Sequence, residues 1–192
     1  MGTARPTVLV VDDDRELADL YAAWLTDAYD VRVTYSGTEA LETLDSNVDV
    51  VLLDRLMPGI SGDEVVSSAH EQGFNGSIAM VTAVRPDFDI LELGFDEYII
   101  KPIRYEELHD LVDSLLSRAT YDVQLQELYS LVSKRAALEA EKRRFELERE
   151  PAYHELTARI RRLETELDET TSKLTARDLE VELRKVGIGT CV

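Results

Sequence analysis

The chain of 192 residues has a single cysteine, Cys191, and no apolar run that approaches the roughly 20 residues needed to cross a bilayer. One thiol excludes a disulfide within the chain, and the missing apolar run excludes a spanning helix. The first residues also lack the charged and then apolar pattern of a secretory signal. We therefore expect a cytoplasmic protein with no membrane partner.

Positive charge is also scarce. The sequence holds 21 Lys and Arg residues against 39 Asp and Glu, which gives a formal net charge of -18. Residues 1–118 contain 24 acidic and 8 basic side chains, whereas residues 119–192 contain 15 and 13. The strongly negative first part should repel nucleic acid. An acidic composition with few lysines resembles that of proteins in molar salt, where the screening length is about 3 Å.

Short apolar runs alternate with helical patterns before residue 119. The run Val50–Leu53 is typical of a strand buried on both faces of a parallel sheet. A capping box of Ser36 and Glu39 is expected to begin the second helix. The alternation predicts an α/β fold with a five-stranded parallel sheet that is covered on both faces. The alternation does not specify the strand order, and we choose the flavodoxin-like, doubly wound order 2-1-3-4-5. The predicted strands are 7–11, 31–33, 50–53, 77–81 and 98–100.

Side chains suited to chemistry directly follow four of these strands. Asp12 and Asp13 follow the first strand and Asp54 the third, while Thr82 and Lys101 end the fourth and fifth. Because the carboxyl ends of parallel strands meet at one edge of the sheet, we expect these residues to lie together. Clustered carboxylates repel one another unless a cation joins them, and their oxygens suit Mg²⁺. This pattern indicates phosphoryl transfer, which needs mostly positioning and charge stabilisation.

In that interpretation Asp54 is the nucleophile, and the product is an acyl phosphate. Lys101 would pair with the phosphoryl oxygens, and Thr82 would donate a hydrogen bond to them. An alternative is a phosphohydrolase with an Asp nucleophile. That class requires a second Asp two residues after the nucleophile, and Leu56 stands there. The phosphohydrolase is therefore disfavoured.

Four motifs resemble those of the receiver domain of two-component response regulators. They are Val10–Asp13, Asp54–Gly59, Val81–Ala83 and Tyr98–Pro102. The resemblance covers residues 7–118. It implies a partner, a sensor histidine kinase, and a protein that catalyses only its own phosphorylation and dephosphorylation.

The resemblance also implies a role for each matching residue. Asp54 would be the phosphoacceptor, with Lys101 and Thr82 beside the phosphoryl group. Asp13 would be a direct Mg²⁺ ligand, and Asp12 a ligand through water.

Three further residues acquire roles from the same resemblance. The backbone carbonyl of Leu56 would be another Mg²⁺ ligand. The backbone N–H of Ala83 would contact the phosphoryl group. Tyr98 would be an aromatic switch that turns inward when Thr82 moves toward the phosphate.

The chain departs from the receiver pattern between Thr82 and Lys101. This segment is some three residues shorter than in many receivers, so we expect a short fourth helix. A homodimer formed through this face, as in the family, is left open.

From residue 119 onward glycine is absent until Gly187, and Glu, Arg and Leu dominate. We expect a receiver domain at 1–118 and an all-α module at 119–192. Its helical rows run to about Glu150, and Pro151 is expected to end or kink that helix. An apolar stripe follows in coiled-coil spacing. The helices form either an antiparallel pair within the chain, which we favour, or a coiled coil with a second chain. A short helix is predicted at 176–186.

The segment Leu128–Glu139 resembles the HalX domain of haloarchaeal response regulators, a domain without an established role. The basic clusters Lys142–Arg144 and Arg159–Arg162 leave open an alternative, a transcriptional regulator whose C-terminal helices bind DNA. Interleaved glutamates favour an ion-paired, solvated helix face instead. We therefore expect a response regulator that signals through its helical module.

Overall fold

The computed structural model describes residues 5–172 and residue 174. Contacts divide the chain into two units between Leu116 and Ser117. We call them the sheet unit and the helical unit. Among the described residues, the helices are too short or too polar for any of them to cross a membrane.

The sheet unit contains five parallel strands in the order β2-β1-β3-β4-β5. This result confirms the predicted fold class and strand order. The strands are β1 Thr7–Val11, β2 Asp30–Thr34, β3 Val50–Leu53, β4 Ser77–Thr82 and β5 Glu97–Ile100. The helices of the chain are α1 Arg15–Leu25, α2 Gly37–Thr43, α3 Gly62–Glu71, α4 Tyr105–Glu141, α5 Arg144–Leu147 and α6 Pro151–Thr171.

Two apolar cores lie on opposite faces of the sheet. Val50 and Leu52 point into the core that includes α1 and the first part of α4. Val51 and Leu53 point into the core that includes α2 and α3. Side chains alternate between faces along a strand, so a strand covered on both faces is apolar throughout. This explains the run of four apolar residues just before Asp54.

Capping side chains fix where two of the helices begin. Ser36 accepts a hydrogen bond from the N–H of Glu39 at 3.2 Å, as predicted. The Glu39 carboxylate, however, accepts from the N–H of Tyr35 rather than of Ser36, so the predicted reciprocal box is not formed there. A complete capping box instead joins Ser61 and Glu64 at the start of α3.

The crossover between β4 and β5 contains only a short 3-10 helix, Phe88–Glu92. This agrees with the short fourth helix expected from the spacing. His70 of α3 lies 2.6 Å from the carbonyl oxygen of Gly94, through its Nε2. The Asp96 carboxylate accepts the N–H of Ile78 at 2.8 Å. These bonds attach the end of the crossover to α3 and to β4.

Two expected helix boundaries were wrong. The pattern of apolar residues from Leu108 to Leu116 predicts a helix over Tyr105–Arg118, but α4 extends to Glu141. Residues 105–141 contain neither Pro nor Gly, so nothing in that segment breaks the helical hydrogen bonds. Pro151 was expected to end or kink a helix reaching Glu150, but it begins α6. Proline suits the first turn of a helix, where its missing N–H would have no partner. The helix predicted at 176–186 lies outside the described residues.

In the helical unit, α4 and α6 run antiparallel. Arg159 forms two hydrogen bonds of 2.9 Å with the carboxylate of Glu127. Toward the other end of α6, the Thr170 hydroxyl donates to the side chain of Gln124 at 2.9 Å. The side chains of Ile160, Leu163 and Leu167 form the buried stripe of α6. The pair within one chain is thus the arrangement that these contacts produce.

Candidate functional site

The ends of β1 and β3 bring three carboxylates together. Each of Asp12, Asp13 and Asp54 offers a carboxylate oxygen, and these oxygens lie within 4.8 Å of one another. Asp12 and Asp54 are buried, whereas Asp13 is exposed. Three close carboxylates repel one another in a partly buried site, so the cluster favours a cation.

Lys101, which follows β5, supplies one positive charge. Its Nζ lies 2.6 Å from Oδ2 of Asp12 and 3.2 Å from Oδ1 of Asp54. Burial raises the pKa of Asp12, although the hydrogen bond from Lys101 opposes that effect. Burial by itself would lower the pKa of Lys101, but the bonds and charges of the two aspartates raise it overall. The amine therefore stays protonated between the two carboxylates.

The donor set fits a divalent cation. One ammonium cannot neutralise three carboxylates, and hard cations prefer carboxylate oxygens. The second oxygen of Asp12 accepts the N–H of Asp14 at 3.1 Å, which fixes its orientation. Among the described residues, the exposed carboxylate of Asp13 takes part in no hydrogen bond or ion pair, and it is therefore available to a ligand from solvent.

A glycine allows the loop after Asp54 to fold back closely. A Cβ at Gly62 would lie 2.4 Å from the carbonyl oxygen of Asp54 and 2.9 Å from the Cα of Arg55. The N–H of Gly62 also donates to the carbonyl of Arg55 at 2.8 Å. Any larger residue at 62 would displace the backbone of Asp54.

Thr82 and Tyr98 are joined through the backbone of Val84. The Thr82 hydroxyl accepts the N–H of Val84 at 3.3 Å, and the Tyr98 hydroxyl donates to the Val84 carbonyl at 3.0 Å. Thr82 is buried, and Tyr98 is half-buried and packs against Phe95 with ring centroids 5.5 Å apart. Both hydroxyls thus belong to one short chain of hydrogen bonds at the ends of β4 and β5.

The structure brings the predicted site residues together to different degrees. Asp12, Asp13, Asp54 and Lys101 form one cluster, as their positions after the strands predict. Thr82 ends β4, the strand that pairs with β3. Ala83 follows it and is exposed. The Leu56 side chain is 65% exposed, so only its backbone is suited to a site.

Arg55, which is buried beside Asp54, has no role in the sequence-based prediction. Its Nε lies 3.0 Å from Oδ1 of Asp63, and its Nη2 also bonds to Asp89. These hydrogen bonds, first to Asp63 and then to Asp89, raise the pKa of Arg55. A charged residue between a buried strand and a glycine-containing turn was the only signal in the sequence.

Comparison with known proteins shows the family of the sheet unit. The model of the response regulator receiver domain matches residues 8–113, more than half of the chain. The chain belongs to the response regulator receiver family. The model of the HalX domain matches residues 117–183.

Individual relatives match parts of this receiver protein. A Haloferax volcanii protein named "Putative transcriptional regulator" is 43% identical over 165 residues, which are 85% of this chain and 28% of the relative. The transcriptional regulatory protein CpxR of Escherichia coli is 36% identical over 123 residues, which are 62% of this chain and 53% of CpxR. The chain thus spans between about a quarter and a half of the length of these curated relatives.

Solved receiver structures share the fold of the sheet unit. The response regulator TrrA from Thermotoga maritima, solved in complex with Mg²⁺-BeF, is 34% identical with a TM-score of 0.52. The match covers 58% of this chain and 99% of TrrA. The chemotaxis protein CheY4 from Vibrio cholerae is 28% identical with a TM-score of 0.55, and the match covers 59% of this chain and all of CheY4.

Proposed function

We propose that this receiver protein is the response regulator of a two-component phosphorelay, and that it accepts a phosphoryl group on Asp54 from a sensor histidine kinase. The observation that carries the proposal is the cluster of three carboxylates and one ammonium at the sheet edge. Its only catalytic activity would be its own phosphorylation and dephosphorylation. We propose a cytoplasmic location, with a receiver domain at 1–118 and an output domain at 119–192.

Mg²⁺ is the cofactor that we propose for the cluster. Asp13 would bind it directly, Asp12 through water, and Asp54 and the carbonyl of Leu56 would complete the protein ligands. The bound ion would neutralise the charge of the incoming phosphoryl group. The Asp13 carboxylate, which no other described residue engages, supports the direct role of Asp13, and the ion pair of Asp12 with Lys101 supports the more distant role of Asp12.

We assign the remaining site residues roles in the transfer of the phosphoryl group. A carboxylate oxygen of Asp54 attacks phosphorus, the new P–O bond forms, and the P–N bond to the donor histidine breaks with the electron pair leaving on nitrogen. Lys101 moves its ammonium from Asp12 to the phosphoryl oxygens. The Thr82 hydroxyl and the N–H of Ala83 donate hydrogen bonds to the same group. Tyr98, bonded to Thr82 through Val84, would follow the movement of Thr82 as a switch.

Mass measurement tests the phosphoacceptor directly. The chain is incubated with acetyl phosphate and Mg²⁺, and the intact mass is recorded. Wild type should gain one phosphoryl group, Asp54→Asn should gain none, and Asp110→Asn, which changes an exposed helical aspartate, should behave as wild type. A full adduct on Asp54→Asn would overturn the assignment.

A second candidate output is direct DNA binding by the helical unit, as the name of the Haloferax relative suggests. Ion pairs reduce the basic charge available there, since Arg159 is paired with Glu127 and Arg144 with Glu148. Binding of duplex DNA, with and without acetyl phosphate, separates the two outputs. Affinity that appears on phosphorylation and falls with added salt would favour DNA. Constant weak binding would favour a protein partner or a homodimer.

A further inference from the structure

Arg55 directly follows the proposed phosphoacceptor, and its charged side chain is buried. Its Nε and Nη2 each lie 3.0 Å from an oxygen of the Asp63 carboxylate. Nη2 also donates to the carboxylate of Asp89. We call Arg55, Asp63 and Asp89 the arginine clamp. A guanidinium removed from water depends on such partners, because losing one leaves its charge poorly compensated.

The clamp joins three separate elements. Arg55 lies in the loop after β3, Asp63 in the first turn of α3, and Asp89 in the 3-10 helix of the β4–β5 crossover. The crossover places no buried residue within its 3-10 helix. Apolar packing therefore contributes little to its position, and the polar bond from Asp89 becomes a principal restraint.

The clamp and the hydrogen-bond chain of Thr82, Val84 and Tyr98 hold the same segment, the β4–β5 crossover. The Tyr98 hydroxyl donates to the carbonyl of Val84, whose N–H is held by Thr82. Val84, bonded to Thr82, and Asp89, bonded to Arg55, both belong to this crossover, so the chain and the clamp act on one short segment.

We propose that Arg55 is a positioning residue that restrains the β4–β5 crossover in its unphosphorylated arrangement, so that occupation of Asp54 and release of Asp89 are coupled. This inference rests on the proposed function of Asp54. A Thr82 hydroxyl that turns toward a phosphoryl oxygen disturbs the bonds of Val84 and Tyr98, and the clamp opposes that movement. The restrained segment carries Phe88 and Leu91, which are 85% and 78% exposed. The clamp thereby restrains the position of Phe88 and Leu91 on the surface.

Titration with beryllofluoride in the presence of Mg²⁺ tests the coupling on the full chain. Linkage requires that a restraint opposing the occupied state also weakens binding of the occupant. Asp89→Asn should therefore bind beryllofluoride about five-fold more tightly than Glu92→Gln, at the low end of typical coupling factors. Glu92→Gln is the matched control, because it removes the same charge from the same 3-10 helix. Asp89→Glu keeps the carboxylate and should bind as wild type does.

Amide hydrogen exchange of residues 86–93 gives a second readout. In wild type and Glu92→Gln, beryllofluoride should accelerate exchange in this segment. In Asp89→Asn and Arg55→Met, exchange should already be fast and should not respond further. Equal beryllofluoride affinity in Asp89→Asn and Glu92→Gln, or an unchanged response in Asp89→Asn, would overturn the clamp alone. If wild type itself bound no beryllofluoride, the proposed function would fail, and the clamp with it.

Discussion

The sheet unit and the helical unit use charge in opposite ways. In the sheet unit, the buried carboxylates of Asp12 and Asp54 both form an ion pair with Lys101 at one edge of the sheet. In the helical unit, ion pairs such as Arg159–Glu127 and Arg144–Glu148 lie at the surface. Buried charges of like sign destabilise a fold unless a partner or ligand joins them, whereas exposed pairs contribute little either way.

This contrast shows where chemistry is located in the protein. The carboxylate cluster at the sheet edge does not stabilise the fold as apolar packing does. Clustered carboxylates with shifted pKa values are typical of functional sites. In the helical unit, the pair Arg159–Glu127 connects α6 with α4, whereas Arg144–Glu148 is local to α5. A site of chemistry is therefore expected in the sheet unit.

The largest effects on stability are expected from substitutions in the apolar core of each unit. Leu52→Ala removes a buried side chain of β3, and Leu163→Ala removes one from the buried stripe of α6. Each should lower the free energy of unfolding by about 2–5 kcal/mol. Fluorescence of Trp24, the sole tryptophan, reports the sheet unit, and far-UV circular dichroism is dominated by the long helices.

During thermal unfolding, Leu52→Ala should shift the Trp24 transition most. Leu163→Ala should shift the loss of helical signal most. The conservative exchange Leu→Met at each position is the control and should have a smaller effect. Identical shifts of both signals in both variants would break the distinction between the units.

The next largest effect is expected on Mg²⁺ affinity, which substitutions in the sheet unit should lower and substitutions in the helical unit should not. Asp13→Ala removes the exposed carboxylate that no other described residue engages, so Mg²⁺ affinity should fall at least about ten-fold, which corresponds to 1.4 kcal/mol. Asp12→Ala should reduce it less, because Asp12 is already bonded to Lys101. Titration calorimetry measures both.

Glu155→Gln, which removes an exposed acid of the helical unit, is the control and should leave Mg²⁺ affinity unchanged. Equal affinity in wild type and Asp13→Ala would disprove the direct-ligand role. Without metal, Asp13→Ala should also be no less stable than wild type, since it relieves repulsion among the carboxylates.

The smallest effect is expected from the surface pair Arg159–Glu127. Arg159 lowers the pKa of Glu127 below its ordinary value of 4.5. A carboxyl group with a lowered pKa stabilises the folded state above its unfolded pKa, and that contribution is lost as pH falls through the folded pKa. Glu127→Gln should therefore be slightly less stable than wild type at neutral pH, far less affected than Leu163→Ala.

The difference between Glu127→Gln and wild type should begin to shrink as pH falls below 4.5, and it should disappear once the pH lies below the lowered pKa of Glu127. Thermal unfolding at neutral and acid pH measures it, with the exposed Glu155→Gln as control. A difference that persisted unchanged in acid would show that Glu127 acts through packing rather than charge.

The sequence by itself determined the strands and the side chains that follow them, whereas the strand order was a choice that the structure confirmed. Asp12, Asp54 and Lys101 each follow an apolar run. They meet at one edge of the sheet, because parallel strands align their carboxyl ends there. Local physics is sufficient for this, since each strand orients its own last residue.

Only the tertiary structure decided the partners of Arg55 and the boundaries of the later helices. Asp63 and Asp89 lie 8 and 34 positions from Arg55, and no periodic pattern relates them. Pro151 is compatible with either end of a helix, and the return of α6 onto α4 placed it at the start. Side-chain pairing between distant elements depends on how packed helices and loops bring them together, a relation that no local stretch of sequence contains.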